Sequence, residues 1–150
     1  MLGVLRQKGA ETELLPQPDL SDMDDLRDQI QVAGVSLELS VVGSHDHLSP
    51  GLELTSYRIV QEALTNVLRH AGRPVNVTAT IECRADEVAI DVLDDGLGAA
   101  ALSATAGTGH GLRGIRERVE IYNGTFASGP RPGGGFGVQV KLPLHSRVAK

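Results

Sequence analysis

The sequence predicts an α+β fold: a two-layer α/β sandwich with helices on one face of a mixed, mostly antiparallel sheet. Three observations support this prediction. Apolar residues recur with helical or period-two spacing in the order α-β-α-β-β-loop-α-β-β. Strands that follow one another directly are typical of hairpins. The chain has 150 residues, which is enough to bury one hydrophobic core without a disulfide.

The first helix and strand occupy the chain before the first polar loop. Ser21 is suited to cap a helix that continues to about Ala33, where Gly34 stops it. Residues 35–42 alternate apolar and polar side chains, as a half-buried strand does.

The second helix has the clearest pattern in the sequence. It is expected from about Leu52 or Thr55 to His70. One side carries an apolar stripe at helical spacing: Tyr57, Val60, Leu64, Val67 and Ala71.

The second half of the chain is expected to hold two hairpins on either side of a third helix. Residues 94–109 show no strand pattern, and Asn123-Gly124 ends the helix. The expected ranges are 75–83 and 87–93 for the first hairpin, 112–122 for the helix, and 125–128 and 135–142 for the second hairpin.

Composition excludes several classes of protein. Hydrophobic residues make up 41% of the chain, which argues against global disorder, and no apolar run is long enough for a membrane span. The net charge of -5 argues against nucleic acid as a partner. The lone Cys83 points to a reducing compartment and predicts a cytoplasmic location.

A polar stripe lies opposite the apolar one on the second helix. Glu62 and Asn66 are one turn apart and can hold a hydrated Mg²⁺ through oxygen atoms, while Arg69 and His70 can contact a phosphate or a base. The alternative is an ordinary solvated face. Ile59 in the same stripe speaks against that alternative.

Two glycine-containing segments follow. Residues 94–98 (DDGLG) come directly after a strand and can bring backbone close to a ligand, although Asp-Gly is also a common turn. Residues 109–114 match G-x-G-x-x-G, but the preceding residues show no strand pattern and no acid follows Glu120, which speaks against dinucleotide binding. The remaining interpretations are an anion at a helix N-terminus or a flexible loop.

Two further clusters are expected to be ordinary protein surface. Residues 45–47 (HDH) have metal-ligand spacing but are expected to form an exposed polar loop. The charged residues of the third helix are expected to form a solvated, ion-paired face: Arg113, Arg116, Glu117, Arg118 and Glu120.

Taken together and in order, three of these segments resemble the motifs of sensor histidine kinases. Residues 57–71 (YRIVQEALTNVLRHA) resemble the N box, 94–98 the first glycine box, and 109–119 (GHGLRGIRERV) the second. The residues within these three boxes are similar to those of the class of two-component kinases that includes nitrate and lipid-desaturase sensors. The resemblance covers roughly residues 19–145.

The resemblance implies the Bergerat ATP-binding fold, with ATP and Mg²⁺ as ligands. Asp94 would accept a hydrogen bond from the adenine amino group. Asn66 would coordinate Mg²⁺, with Glu62 near the metal or its water and available as a base. Arg69 and His70 would lie near the phosphates and the nucleotide.

The glycine boxes would line the nucleotide. Gly96 and Gly98 would let the chain pass close to it, and residues 99–108 would be a short lid. The second box would supply the far hinge of the lid and the start of a phosphate-binding helix, with these residues near the nucleotide: Gly109, His110, Gly111, Leu112 and Gly114.

The family transfers the γ-phosphate of ATP to a histidine on a dimerisation domain, and a response regulator then takes it. Residues 1–18 are too short for that domain and resemble its last helix and a linker, with 19–145 as the catalytic domain and 146–150 as a tail. This chain is therefore expected to be a monomer that contacts no membrane and does not phosphorylate itself. The alternatives are an anti-sigma-type serine kinase of the same fold and a non-catalytic nucleotide-responsive module.

Overall fold

The computed structural model describes residues 17–70, 75–96 and 110–144. Within them, five strands form one sheet in the order β1-β2-β3-β5-β4, with β1 parallel to β2 and the other pairs antiparallel. The predicted α+β fold is confirmed. The elements are a 3-10 turn at Leu20–Asp22, then α1 (Met23–Val32), β1 (Ser36–Val42), α2 (Pro50–His70), β2 (Asn76–Cys83), β3 (Glu87–Asp94), α3 (His110–Ile121), β4 (Thr125–Pro130) and β5 (Phe136–Pro143).

The core lies between the sheet and the helices. Along β2, β3 and β5 every second side chain is buried, so one face of these strands is covered. Helix α2 supplies Ile59, Val60 and Leu64, each with an exposed fraction of 0%. Burying one aliphatic side chain of this size contributes about 1.5–3 kcal/mol, so α2 is anchored firmly against the sheet.

The cap of the first helical segment is not the one that the sequence predicts. Asp19 precedes the 3-10 turn and its Oδ1 accepts from the Ser21 backbone N–H at 2.9 Å, while Asp22 Oδ2 accepts from the Asp19 N–H at 2.9 Å. The prediction that Ser21 caps the helix is wrong, because Ser21 already lies inside the turn. The end of α1 is as predicted: Gly34 adopts a φ of +106°, which favours glycine.

Helix α2 begins two residues before the earliest predicted start. Ser49 Oγ accepts from the Leu52 N–H at 3.1 Å, and Pro50 takes the first helical position, where no N–H is needed. The helix is 21 residues long, which corresponds to about 31 Å. Within the described ranges, no helix is long and apolar enough to span a membrane.

Candidate functional site

The polar face of α2 is covered by α3, which packs against it. Ile59 on this face is fully buried, and the side chain of Glu62 keeps an exposed fraction of only 28%. A simple solvated face is therefore the wrong interpretation for this part of α2. The expectation that Ile59 marks a different environment is confirmed.

The Glu62 carboxylate meets α3 at two positions. Arg118 Nε lies 3.2 Å from Glu62 Oε1, and Arg118 Nη2 lies 3.5 Å from Glu62 Oε2. Gly114 lies one turn earlier, and a β carbon there would come within 2.9 Å of Glu62 Oε2. The carboxylate thus occupies the space that the missing side chain leaves. Arg118 is ion-paired as expected, but its partner is Glu62 on the neighbouring helix, and the pair lies in the contact between the two helices.

About one and two turns beyond Glu62 along α2, two side-chain nitrogens are buried without a hydrogen-bond partner among the described residues. They are Asn66 Nδ2 and His70 Nδ1. An unsatisfied buried polar atom costs about 1–3 kcal/mol, so a polar ligand that paired with these two nitrogens would stabilise this part of α2. Asn66 also offers an amide oxygen, and Glu62 a carboxylate, one turn apart, so the donor set fits Mg²⁺. Arg69 between them is exposed.

Asp94 is the last residue of β3, and only 5% of it is exposed. Its Oδ1 accepts from the Gly96 N–H at 2.8 Å, and its carboxylate also accepts from the backbone N–H of Phe136. Burial raises the pKa of Asp94 above its ordinary value, against the opposing effect of these two donors. The strand therefore ends in a buried carboxylate held by backbone.

The turn between β4 and β5 packs on the backbone of Asp94. Arg131 Nη1 donates to the Asp94 carbonyl at 2.8 Å. Gly135 has a φ of +96°, and a β carbon there would overlap the same carbonyl oxygen. Only glycine allows the turn to approach this closely.

The neighbouring acid has a different environment. Asp95 Oδ1 accepts from the Asn76 backbone N–H at 2.7 Å, and its Oδ2 accepts from Asn76 Nδ2 at 2.9 Å. These bonds lower the pKa of Asp95. Both carboxylate oxygens of Asp95 are therefore used to link the end of β3 to the start of β2, whereas Asp94 faces the core side of the sheet.

The second glycine box is described only in part. The described residues do not include Gly98, Gly109 or the expected lid at 99–108. The prediction that no strand precedes the second glycine box concerns the same undescribed residues. His110 and Gly111 begin α3, and Leu112 packs, partly buried, against the core.

The two histidines of the 45–47 segment point to separate partners. His45 Nδ1 lies 3.3 Å from Glu53 Oε1, and His47 Nε2 lies 2.9 Å from the Arg84 carbonyl oxygen. Among the residues with described positions, no group of three His, Cys, Asp or Glu side chains is arranged to hold a metal.

Four residues near the site were not singled out by the motifs: Asn76, Arg118, Arg131 and Gly135. The sequence predicts a solvated, ion-paired face for Arg118 and gives no sign of its partner Glu62, which is 56 residues away. Arg131 and Gly135 lie in a Gly/Pro-rich segment. This composition predicts a turn, but it does not show that the turn packs against Asp94.

Comparison with known proteins gives a consistent result. The sequence model described as histidine kinase-, DNA gyrase B-, and HSP90-like ATPase matches residues 51–146. The chain is 32% identical over 113 residues to the sensor histidine kinase YxjM of Bacillus subtilis (strain 168), covering 75% of this chain and 27% of that protein. It is 33% identical over 93 residues to the oxygen sensor histidine kinase NreB of Staphylococcus carnosus (strain TM300), covering 62% and 26%.

The fold is similar to that of solved kinase domains. The histidine kinase domain of the blue-light activated histidine kinase from Erythrobacter litoralis EL346 superposes with a TM-score of 0.65 at 20% identity. The match covers 82% of this chain and 61% of that one. The chain spans about a quarter of the length of the curated relatives it matches.

Proposed function

Because the chain belongs to the family of histidine kinase-, DNA gyrase B-, and HSP90-like ATPases, we propose that it is the ATP-binding catalytic domain of a sensor histidine kinase. It transfers the γ-phosphate of ATP to a histidine on a dimerisation domain, for relay to a response regulator. In this step the P–O bond to ADP breaks, an N–P bond to the imidazole forms, and the imidazole loses a proton. The relatives named as sensor histidine kinases support this assignment.

The observation that carries the proposal is the buried carboxylate of Asp94 at the end of β3. Backbone donors fix its position, and it remains a strong acceptor for the amino group of adenine. Gly96 and Gly98 let the chain run beside the base.

The phosphate side of the site is proposed to lie along α2. Asn66 would hold Mg²⁺ through its amide oxygen, with Glu62 near the metal or its water, and the ion would supply charge neutralisation for the phosphates. His70 and Arg69 contact the nucleotide. The second glycine box, from Gly109 through Gly114, receives phosphate at the start of α3, where the helix dipole favours an anion.

The first test is nucleotide binding by the purified chain. A fluorescent ATP analogue is titrated in the presence of Mg²⁺ and then competed with ATP or NAD. We expect ATP to displace the analogue and NAD to leave it bound. Equal displacement by NAD would contradict the proposed site.

The second test concerns the acceptor. Phosphoryl transfer needs an imidazole held in line with the γ-phosphate, and His70 is proposed as part of the binding wall rather than as acceptor. The chain is therefore incubated with radiolabelled ATP, alone and with a separate dimerisation domain that carries an acceptor histidine. We expect acid-labile label only on the added domain, at a low level because the tether's effective concentration is lost. Stoichiometric acid-labile label on the chain alone would refute this proposal.

The remaining proposals concern context. Residues 19–145 form the catalytic domain, and the isolated chain is a monomer that acts in the cytoplasm and contacts neither nucleic acid nor membrane. Sedimentation of the purified chain at a series of concentrations tests the monomer. A mass that doubles with concentration would contradict it.

A further inference from the structure

Two features of α3 converge on a single carboxylate of α2. Arg118 contacts both oxygens of Glu62, at 3.2 and 3.5 Å, with a different guanidinium nitrogen on each. Gly114 leaves the space that one of those oxygens occupies. A two-point contact fixes the plane of a carboxylate as well as its position, which a single contact does not.

This arrangement matters because of where Glu62 lies. It is one helical turn from Asn66, whose amide nitrogen is buried without a described partner. A glutamate has several rotatable bonds, and an unrestrained carboxylate here would sweep the space beside the proposed metal and phosphates. An unneutralised carboxylate would also repel a triphosphate at close range.

We propose that Arg118 is a positioning residue for the nucleotide site: it aims and neutralises Glu62, and Gly114 supplies the gap that admits the carboxylate. This inference rests on the proposed function. Arg118 acts through Glu62 and makes no contact of its own with the phosphates. Its contribution therefore vanishes when the carboxylate is removed.

The experiment is a double-mutant cycle on nucleotide affinity. The dissociation constant of a fluorescent ATP analogue is measured with Mg²⁺ and with EDTA for the wild-type chain, Arg118→Met, Arg118→Lys, Glu62→Ala and the double variant. We expect Arg118→Met to weaken binding with Mg²⁺ roughly two- to fivefold, the range that a partly exposed ion pair carries. Arg118→Lys should restore part of this loss, because a lysine keeps the charge but not the two-point contact.

Gly114→Ala tests the position of the Glu62 carboxylate in a second way, by filling the space that it occupies. Its β carbon displaces the Glu62 carboxylate and should weaken binding in the same direction. In a Glu62→Ala chain, Arg118→Met should leave affinity unchanged, and Gly114→Ala should weaken binding less than it does in the wild-type chain. Arg116→Met is the matched control, because Arg116 lies on the same helix but stacks over the ring of Phe126, 5.4 Å from its centroid, and should leave affinity unchanged.

Each other outcome overturns the inference. A loss for Arg118→Met that persists in the Glu62→Ala chain would mean that Arg118 contacts the phosphates directly. A lowered melting temperature with unchanged affinity would mean that the ion pair only joins two helices. Adenosine has no phosphates, so its affinity should be unchanged in every variant that melts cooperatively. Failure of the proposed function is separate, because the wild-type chain itself would then not bind the analogue.

Discussion

Replacing Gly135 with alanine tests whether the β4–β5 turn holds the buried carboxylate of Asp94 in place. Gly135 has a φ of +96°, and its missing β carbon would overlap the Asp94 carbonyl oxygen. The neighbouring Gly134 is a matched control, because its φ of +115° is equally unfavourable for alanine and no atom lies within 4 Å of the position that its β carbon would take. The two variants therefore share backbone strain and differ in the steric overlap.

The magnitudes follow from these contacts. Alanine at such a φ costs about 1–3 kcal/mol, which Gly134→Ala carries alone. In Gly135→Ala the turn must also withdraw, so the hydrogen bond from Arg131 to the Asp94 carbonyl is lost, at about 1.5–3 kcal/mol for a charged donor. For a domain of this size 1 kcal/mol lowers the melting temperature by about 2–4 °C, so Gly135→Ala should melt about 3–12 °C below Gly134→Ala.

Two measurements check the prediction. Thermal melts followed by circular dichroism give the difference in stability, and titration with a fluorescent ATP analogue below the melting range gives affinity. Gly135→Ala should lose at least about tenfold in affinity, because Asp94 loses its fixed position, whereas Gly134→Ala should bind as the wild type does. Equal melting temperatures, or wild-type affinity in Gly135→Ala, would refute the reasoning.

Three further predictions concern the same site. Asp94→Ala should weaken binding of the ATP analogue roughly 10- to 150-fold and also lower the melting temperature, because the N–H groups of Gly96 and Phe136 lose their acceptor. Burial raises the folded-state pKa of Asp94, so its stabilising contribution is fully present below the unfolded pKa of about 3.9 and is lost as pH rises through the folded value. The unfolding free energy of the wild type relative to Asp94→Ala, measured in urea, should therefore shrink as pH rises from about 4; a widening difference would contradict the burial argument. Asn66→Ala should bind ATP in EDTA as tightly as the wild type does, and Mg²⁺ should raise its affinity less than it raises that of the wild type. An equal increase in both chains would contradict the proposal that Asn66 coordinates the metal.

The fold could be predicted from local patterns because each element has a period that a sequence displays directly. Strand alternation in 75–83 and 87–93 is satisfied by a hairpin, and Cys83 pairs with Val88 as adjacent strands require. Element ends were less accurate where two capping residues compete. Asp19 and Ser21 both have suitable side chains, and the position of the preceding turn decides between them.

The candidate site could be predicted only where its residues lie within one motif. Glu62 and Asn66 are one turn apart, so their proximity follows from helical spacing. Arg118 has glutamates nearby on its own helix, which favours local pairing, but its partner comes from helix packing across 56 residues. Gly135 is the last of three consecutive glycines, and only the neighbouring Asp94 distinguishes it from the other two.

The parallel pairing of β1 with β2 has a consequence for the order in which the chain folds. Short turns connect the strands of the two hairpins. In contrast, the chain between Ser36 of β1 and its partner Asn76 of β2 includes the whole of α2. Closing a longer segment costs more chain entropy, so we expect both hairpins to form before β1 docks. Helix α2 packs mainly on α3 and β3, so its polar face is expected to reach its place before β1 docks. A change that weakens only the β1 edge is therefore expected to leave the nucleotide site assembled.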